Sequence, residues 1–267
     1  MSRAGAIGVF DSGVGGLSVL HHIRQILPNE RLIYVADSAH VPYGDKSPAY
    51  IEARSLALTR YLLSQGADAI VIACNTATAA AAHTLRVKFN KVPIIGMEPA
   101  VKPAVAATKS GVVGVLATVG TLESARFAAL LEKYAGHVKI VTQGCPGLVE
   151  QVERGHLTEA DTRKLVERYT EPLLAQSADT IILGCTHYAF LAPLILDVVG
   201  ADITLVDTGE AVARQVQRRI QIELPHRSSD AAGVEFFTSG DAEQASRIMS
   251  VLWGETVGAI QLPQEFL

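Results

Sequence analysis

The sequence predicts an α/β fold made of two similar domains, each a mainly parallel sheet covered by helices, and three observations support this. Short β-rich runs alternate with longer runs rich in Ala and Leu along the 267 residues. The strand candidates are continuously apolar, which is typical of parallel sheets covered on both faces. The same order of elements also begins again after Met97.

The first half of the chain reads as strands and helices in alternation. The strand candidates are AIGVF, RLIYVAD, ADAIVIA and KVPIIGM. The helix candidates are LSVLHHIRQIL, SPAYIEARSLALTRYLLSQG and NTATAAAAHTLRVKF. The first helix stops at Pro28-Asn29, and the second ends on Gly66, which readily adopts the left-handed conformation that closes many helices. This punctuation favours a βαβ order.

The second half repeats this alternation of strands and helices. Its strand candidates are GVVGVLA, HVKIVTQG and TIILG. Its helix candidates are TLESARFAALLEKY, LTEADTRKLVERYTEPLLAQSAD and THYAFLAPLILDVVG. Three segments of the first half match the second in the same order and at nearly constant spacing. GVFDSG matches GVLATV, Val41-Pro42 matches Cys145-Pro146, and ACNT matches GCTH. Three ordered matches indicate an internal duplication with the period of a domain.

The duplication predicts the domain boundaries. Residues 98–207 form the second domain, between short linkers at Glu98-Pro99 and near Asp207-Thr208-Gly209. Residues 1–97 and 208–267 together form the first domain, because the chain returns to it once the second is complete. The VEFFTSG strand and the DAEQASRIMSVLWG helix of the tail then extend the first sheet.

Composition excludes several classes of function. The net charge is −4, the 23 Lys and Arg are scattered, and 6% of residues are aromatic, so no nucleic-acid partner is expected. Without a signal peptide or an apolar run of about 18 residues, we expect no membrane association and a cytoplasmic location. The three Cys are expected to be reduced thiols.

The chemistry is expected at the carboxyl ends of the strands, where ligands bind in open parallel sheets. Asp11 and Ser12 follow the first strand, and Cys74 follows ADAIVIA. Thr118 and Cys185 follow GVVGVLA and TIILG. If the two domains face each other across a cleft, these residues reach a small molecule from both sides.

Cys74 and Cys185 are the predicted catalytic pair. Each lies where a strand ends and a helix begins, a setting in which free N–H groups and the helix dipole favour a thiolate. Inversion at carbon requires two such groups, because one base removes a proton from one face and a conjugate acid returns one to the other. Cys145, in GCPG, is read as a loop residue, because Val41 is its counterpart in the first half.

Other polar residues are candidate assistants. His187 lies two residues beyond Cys185, and Asp11 and Glu153 are plausible acids or bases, each of which could instead be a capping or solvated charge. Neutral donors suit a substrate carboxylate without requiring an Arg clamp. The candidate substrate-binding residues are Asp11, Ser12, Pro42, Tyr43, Gly44, Asn75, Thr76, Thr118, Thr186 and His187.

No cofactor or metal is expected. The Cys and His residues lack CxxC or HExxH spacing, and no Lys stands out as a pyridoxal attachment site. The DSGVGGLS turn fits neither GxGxxG nor GxxxxGK[ST], so nucleotide binding is disfavoured.

The motifs in combination resemble those of bacterial glutamate racemases, in the aspartate/glutamate racemase family, over nearly the whole chain. The motifs that carry the resemblance are FDSGVGGLSVL, YVADSAHVPYG, IVIACNTATA, GMEPAVKPA, QGCPGLVEQVERG, ILGCTHYAFL and LVDTGEAVA. The resemblance implies two α/β domains of similar fold, no metal or pyridoxal phosphate, and a homodimer. It also implies interconversion of L- and D-glutamate, which supplies D-glutamate for peptidoglycan.

The resemblance also implies roles for single residues. Cys74 looks like the base for D-glutamate and Cys185 like the base for L-glutamate, with Asp11, Glu153 and His187 assisting. The segments Asp11-Ser12, Tyr43-Gly44, Asn75-Thr76 and Thr186-His187 match those that hold the substrate in the family.

Three alternatives remain open at the level of sequence. An aspartate racemase would show much the same fold and thiol pair. A related decarboxylase or isomerase is possible, although one thiol suffices for some of those reactions. A two-domain module that binds a dicarboxylate without chemistry is a third possibility.

Overall fold

The computed structural model describes residues 5–225 and 232–267, which fold into two sheets flanked by helices. In chain order the strands are β1 (Ala6–Asp11), β2 (Arg31–Ala36), β3 (Ala67–Ile72), β4 (Ile94–Ile95), β5 (Val112–Ala117), β6 (Lys139–Gly144), β7 (Thr180–Leu183), β8 (Thr204–Val206), β9 (Gly233–Thr238) and β10 (Ala259–Gln261). Every strand pair in both sheets is parallel. The predicted fold class is therefore confirmed.

Helices connect the strands. They are α1 (Leu17–Ile26), α2 (Pro48–Ser64), α3 (Asn75–Lys88), α4 (Val101–Ala107), α5 (Val119–Leu122), α6 (Ala125–Tyr134), α7 (Leu148–Glu153), α8 (Ala160–Leu174), α9 (Ala192–Val199), α10 (Gly209–Glu223) and α11 (Ala242–Trp253). Short 3-10 turns occupy Val14–Gly16, Tyr43–Asp45, Thr186–Leu191 and Gln264–Phe266.

The two sheets share one strand order. The first runs β10-β9-β2-β1-β3-β4 and the second runs β6-β5-β7-β8. The series β2-β1-β3-β4 therefore has the same topology as β6-β5-β7-β8. In the tail, β9 pairs with β2 and β10 pairs with β9. The first sheet thus differs from the second by two added strands.

The central strands carry the core. All six residues of β1 and all six of β2 are buried, whereas β6 and β8 at the edges of the second sheet are partly exposed. One hydrophobic cluster includes Leu20 of α1, Leu116 of β5 and Val216 of α10. This cluster joins the two sheets and their helices into a continuous core and brings the strand ends of both sheets together.

Two predicted helices are divided in the structure. The segment TLESARFAALLEKY forms α5 and α6, because the Ser124 side chain accepts a hydrogen bond from the Phe127 N–H and begins a new helix. In THYAFLAPLILDVVG the chain first forms the 3-10 turn Thr186–Leu191, and α9 starts afterwards with a proline in its first turn. The KVPIIGM candidate contributes only β4.

Among the described helices, none combines the length and apolar character needed to cross a membrane.

Candidate active site

The carboxyl ends of β1, β3, β5 and β7 converge on one small cavity of about 10 Å³. Cys74 and Cys185 both line it, the first after β3 of one sheet and the second after β7 of the other. The lining residues are Ser12, Pro42, Tyr43, Gly44, Cys74, Asn75, Thr76, Thr118, Val149, Gly184, Cys185, Thr186 and His187. A cavity of this size holds about one water molecule, so the walls must move apart to admit an amino acid.

The structure brings together most of the residues singled out from sequence. Each predicted substrate-binding residue except Asp11 lines the cavity. Asp11 is fully buried beside it, and Glu153 lies behind His187. Val149 and Gly184, which sequence reasoning missed, also line the cavity. Gly184 directly precedes Cys185 and Val149 lies in the QGCPGLVEQVERG motif, but nothing local indicates that they face a ligand.

Cys74 is the N-cap of α3. Its Sγ accepts a hydrogen bond from the Ala77 N–H at 3.4 Å and lies 3.9 Å from the Ser12 hydroxyl oxygen. Burial, followed by the negative charge of Asp11, nevertheless raises the pKa of Cys74 well above its ordinary value. The Ala77 N–H at the helix N-terminus lowers the pKa of this thiol, as expected, but the effect of desolvation is larger than that of this one donor.

Asp11 links the two halves of the site. Its carboxylate accepts hydrogen bonds from the Ser12 N–H at 2.7 Å and from the Thr186 hydroxyl at 3.1 Å. Thr186 belongs to the turn after β7, so this contact crosses from the first sheet to the second. Burial raises the pKa of Asp11, although the positive charge of His187 offsets part of the effect. A buried carboxyl that retains its proton more readily is suited to acid and base work.

Cys185 lies in a different environment. Its Sγ is 3.7 Å from His187 Nδ1, and His187 Nε2 is 2.6 Å from Glu153 Oε1. Burial alone would lower the pKa of His187, but the hydrogen bonds and negative charges of Cys185 and Glu153 raise it well above its ordinary value. The Cys185 sulfur therefore lies beside an imidazole that readily holds a positive charge. Glu153 is itself held by the Val14 N–H at 2.7 Å.

Three hydroxyls join the two halves on the other side of the cavity. The Thr76 hydroxyl lies 2.9 Å from that of Thr118 and 3.1 Å from that of Thr121, and the last two are 3.0 Å apart. Thr118 also caps α5 by accepting from the Thr121 N–H. Thr121 was missed from sequence, although its place three residues after Thr118 in a capping turn is a local signal.

Asn75 is the clearest sign of a polar ligand. Its side chain is buried and lines the cavity, yet neither its amide nitrogen nor its amide oxygen has a hydrogen-bond partner among the described residues. Buried amides rarely remain unpaired, because desolvation without a partner costs about 1 to 3 kcal/mol. A ligand with both donors and acceptors would satisfy this side chain.

Cys145 takes no part in lining the cavity. Its thiol is buried, donates to the Gln143 carbonyl at 3.3 Å, and has a pKa raised by burial to about 12. Across residues 5–225 and 232–267, no group of three or more His, Cys, Asp or Glu side chains is placed to hold a metal ion.

Known racemases are similar to this chain over nearly its whole length. The family model described as Asp/Glu/Hydantoin racemase matches residues 7–216. A glutamate racemase from Ectopseudomonas mendocina is 57% identical over 249 residues, which cover 93% of this chain and 95% of that protein.

Two solved structures are similar in fold as well. A glutamate racemase isoform from Bacillus anthracis superposes with a TM-score of 0.88 at 31% identity, covering 98% of each chain. The Escherichia coli glutamate racemase in complex with L-glutamate and the activator UDP-MurNAc-ala superposes with a TM-score of 0.85 at 34% identity. That match covers 97% of this chain and 98% of the other.

Proposed function

The chain belongs to the Asp/Glu/Hydantoin racemase family, and on this premise we propose that it is an isomerase that interconverts L- and D-glutamate. One observation carries the proposal. Two buried thiols, Cys74 and Cys185, come from equivalent strand ends of two similar sheets and line the same cavity. Two opposed acid–base groups are what inversion at a carbon atom requires.

The proposed reaction has two proton transfers. The Cys185 thiolate, beside protonated His187, removes the α-proton of L-glutamate and becomes a thiol. The Cys74 thiol donates its proton to the opposite face of the planar intermediate and becomes a thiolate, which yields D-glutamate. The reverse reaction exchanges the two roles. The raised pKa of Cys74 supports its role as the proton donor in the first direction.

Asp11, Glu153 and His187 assist this transfer in the proposal. His187 bridges Cys185 and Glu153, while Asp11 lies between Ser12, near Cys74, and Thr186. The substrate is held by neutral groups, with the unpaired Asn75 amide first among them. The remaining substrate contacts are assigned to Asp11, Ser12, Pro42, Tyr43, Gly44, Thr76, Thr118, Thr186 and His187.

The proposal extends to the cellular role. D-Glutamate made by this enzyme supplies peptidoglycan synthesis in the cytoplasm, and the working form is a homodimer, as the resemblance implies. No cofactor is required, because the two thiols provide both the base and the acid. Residues 1–97 with 208–267 and residues 98–207 act as two domains that separate to admit the substrate.

The test is incubation of the purified protein with L-glutamate in deuterated water, without added cofactor and after dialysis against a chelator. Optical rotation and deuterium at the α-carbon are followed together. We expect rotation to decay to zero as deuterium enters the α-position. A parallel incubation with L-aspartate separates the two racemase activities. Tight glutamate binding without α-proton exchange would instead identify a binding module.

A further inference from the structure

One wall of the cavity is a short segment between β2 and α2. Pro42, Tyr43 and Gly44, here called the wall segment, line the cavity on the side of Cys74. The wall segment also touches the second half of the molecule: a Cβ placed on Gly44 would lie 2.9 Å from Thr118 Cβ, and one on Gly120 would lie 2.9 Å from the Gly44 carbonyl oxygen. Its position therefore sets both the cavity shape and how closely the two halves approach.

The wall segment is tied through Tyr43 to a buried ionic network whose other members do not line the cavity. The Tyr43 hydroxyl donates to Asp37 Oδ2 at 2.5 Å. Arg54 of α2 donates to both oxygens of Asp37, through Nε at 3.0 Å and Nη2 at 2.7 Å. Arg54 Nη2 also donates to the carbonyl of Phe266 at 2.9 Å, near the end of the chain. We call Asp37, Tyr43, Arg54 and the Phe266 carbonyl the Asp37 network.

The Asp37 network is fully committed to internal contacts. Asp37 is 0% exposed, and its carboxylate accepts hydrogen bonds from Tyr43 and Arg54. Burial, together with the charge of Asp37, raises the pKa of Tyr43, so the hydroxyl remains a donor throughout the physiological range. Burial would lower the pKa of Arg54, but the hydrogen bonds and charge of Asp37 raise it overall. A bidentate Arg–carboxylate pair of this kind fixes direction as well as distance.

We propose that Asp37, Arg54 and the carbonyl of Phe266 are positioning residues that hold Tyr43, and through it the wall segment, in the geometry that binds the substrate. The C-terminal turn Gln264–Phe266 thereby contributes to substrate affinity although it does not line the cavity. This inference rests on the proposed function, because the affinity in question is that for glutamate. The mechanical part, control of the wall segment by the network, does not depend on it.

The test compares two removals of a single hydroxyl. Tyr43→Phe deletes the bond to Asp37 and leaves both Arg54 bonds in place. Tyr61→Phe is the matched control, because Tyr61 lies on α2, is buried, and packs its ring 5.2 Å from that of Phe266, but is not part of the network. A third variant, in which Phe266 and Leu267 are deleted, removes the carbonyl that Arg54 binds.

Two measurements are made on each variant. The first is KM and kcat for L-glutamate, and the second is amide hydrogen exchange of residues 38–46 without substrate. For Tyr43→Phe we expect KM to rise about fivefold with kcat within about twofold, and exchange of residues 38–46 to become faster. The C-terminal deletion should likewise raise KM and make exchange of residues 38–46 faster. Tyr61→Phe should match the unmodified protein in both measurements.

The outcomes separate this inference from the proposed function. If the unmodified protein racemises glutamate but Tyr43→Phe has an unchanged KM, the positioning role is overturned and the proposed function stands. If the unmodified protein does not turn over glutamate, the proposed function fails, and the exchange data alone decide whether the network holds the wall segment. Exchange that is as slow in Tyr43→Phe as in Tyr61→Phe overturns the inference in either case.

Discussion

Cys74 and Cys185 occupy equivalent strand ends of two sheets with the same strand order, yet their surroundings are not equivalent. Cys74 caps the 14-residue helix α3 and lies close to the buried Asp11, whereas Cys185 precedes a 3-10 turn and lies beside His187. The residue two positions after each thiol accounts for much of the difference. It is Thr76 in the first half, bonded to other hydroxyls, and His187 in the second, bonded to Glu153.

This difference shows how a duplicated backbone can serve a reaction that needs unlike partners. The repeated fold places two thiols, one from each sheet, in the lining of one cavity, and the residues around them create unequal electrostatic surroundings. Cys74 is held as a thiol, because burial and Asp11 raise its pKa. At Cys185 the neighbouring group is instead His187, whose Nδ1 lies 3.7 Å from the sulfur and whose pKa is raised well above its ordinary value by Cys185 and Glu153. The two thiols therefore have neighbours of opposite charge.

Removing either thiol should have the largest effect. We expect Cys74→Ala and Cys185→Ala each to reduce racemisation of glutamate at least about 1,000-fold in both directions, because each direction needs both groups. Polarimetry measures the loss, and unchanged circular dichroism confirms the fold. The remaining thiol should still exchange the α-proton of one enantiomer in deuterated water. Racemisation retained by either variant would contradict the two-base scheme.

Exchange of the α-proton by these two variants distinguishes the roles of the two thiols. Cys74→Ala should exchange only L-glutamate, and Cys185→Ala should exchange only D-glutamate. The opposite assignment would reverse the proposed roles but keep the scheme. Exchange of both enantiomers by one variant would show that another group acts as a base.

His187 should matter for one thiol only. We expect His187→Asn to lower kcat about 100-fold, because the Cys185 thiolate loses the protonated imidazole beside it. In the Cys74→Ala background the same substitution should slow exchange of L-glutamate by a similar factor. In the Cys185→Ala background it should leave exchange of D-glutamate nearly unchanged. Equal losses in both backgrounds would mean that His187 serves the whole cavity instead of one side.

Asp11 should show a smaller effect on activity and a distinctive effect on stability. We expect Asp11→Asn to lower kcat about tenfold. Because burial raises its pKa above 3.8, the folded protein binds this proton more tightly than the unfolded chain. Its contribution to stability is therefore largest below pH 3.8 and is lost as the pH rises through the folded pKa. Asp11→Asn should be more stable than the unmodified protein at pH 7 in urea unfolding.

Asp179 is a matched control for the direction of the stability change expected of Asp11→Asn. Burial raises the pKa of that carboxyl, but hydrogen bonds from Thr108, Ser110 and Lys109 lower it overall. Its stabilising effect is therefore present above pH 3.8 and lost as the pH falls, so Asp179→Asn should be less stable at pH 7. If both variants changed stability in the same direction, burial would not be the cause at Asp11.

Cys145 should have the smallest effect on activity. Its thiol is buried but does not line the cavity, so Cys145→Ala should change kcat and KM by less than about twofold. The lost packing should lower the free energy of unfolding by about 1 kcal/mol. Polarimetry and urea unfolding measure the two effects. A large loss of activity would show that three thiols, and not two, take part.

Much of the fold could be predicted because its signals are local. Continuous apolar runs, a Gly or Pro at helix ends, and a residue after each strand end are all properties of neighbouring residues, and they located Cys74, Cys185, Asp11 and Thr118. The Ser124 cap that divides TLESARFAALLEKY was also visible in the sequence. It was missed because a helical pattern on both sides hid a competing start signal.

Local residue patterns specify the alternation of elements, the repeated order of the two halves and the positions where chemistry is expected. Tertiary packing determines which side chains meet there, since Glu153 contacts His187 and Arg54 contacts Asp37 across elements that are distant in sequence. It also decided the state of Cys74, because the free energy of burying a charge depends on everything around the thiol. Local patterns specify backbone positions, whereas the free energy of ionising a buried group depends on desolvation and charges contributed by the whole fold.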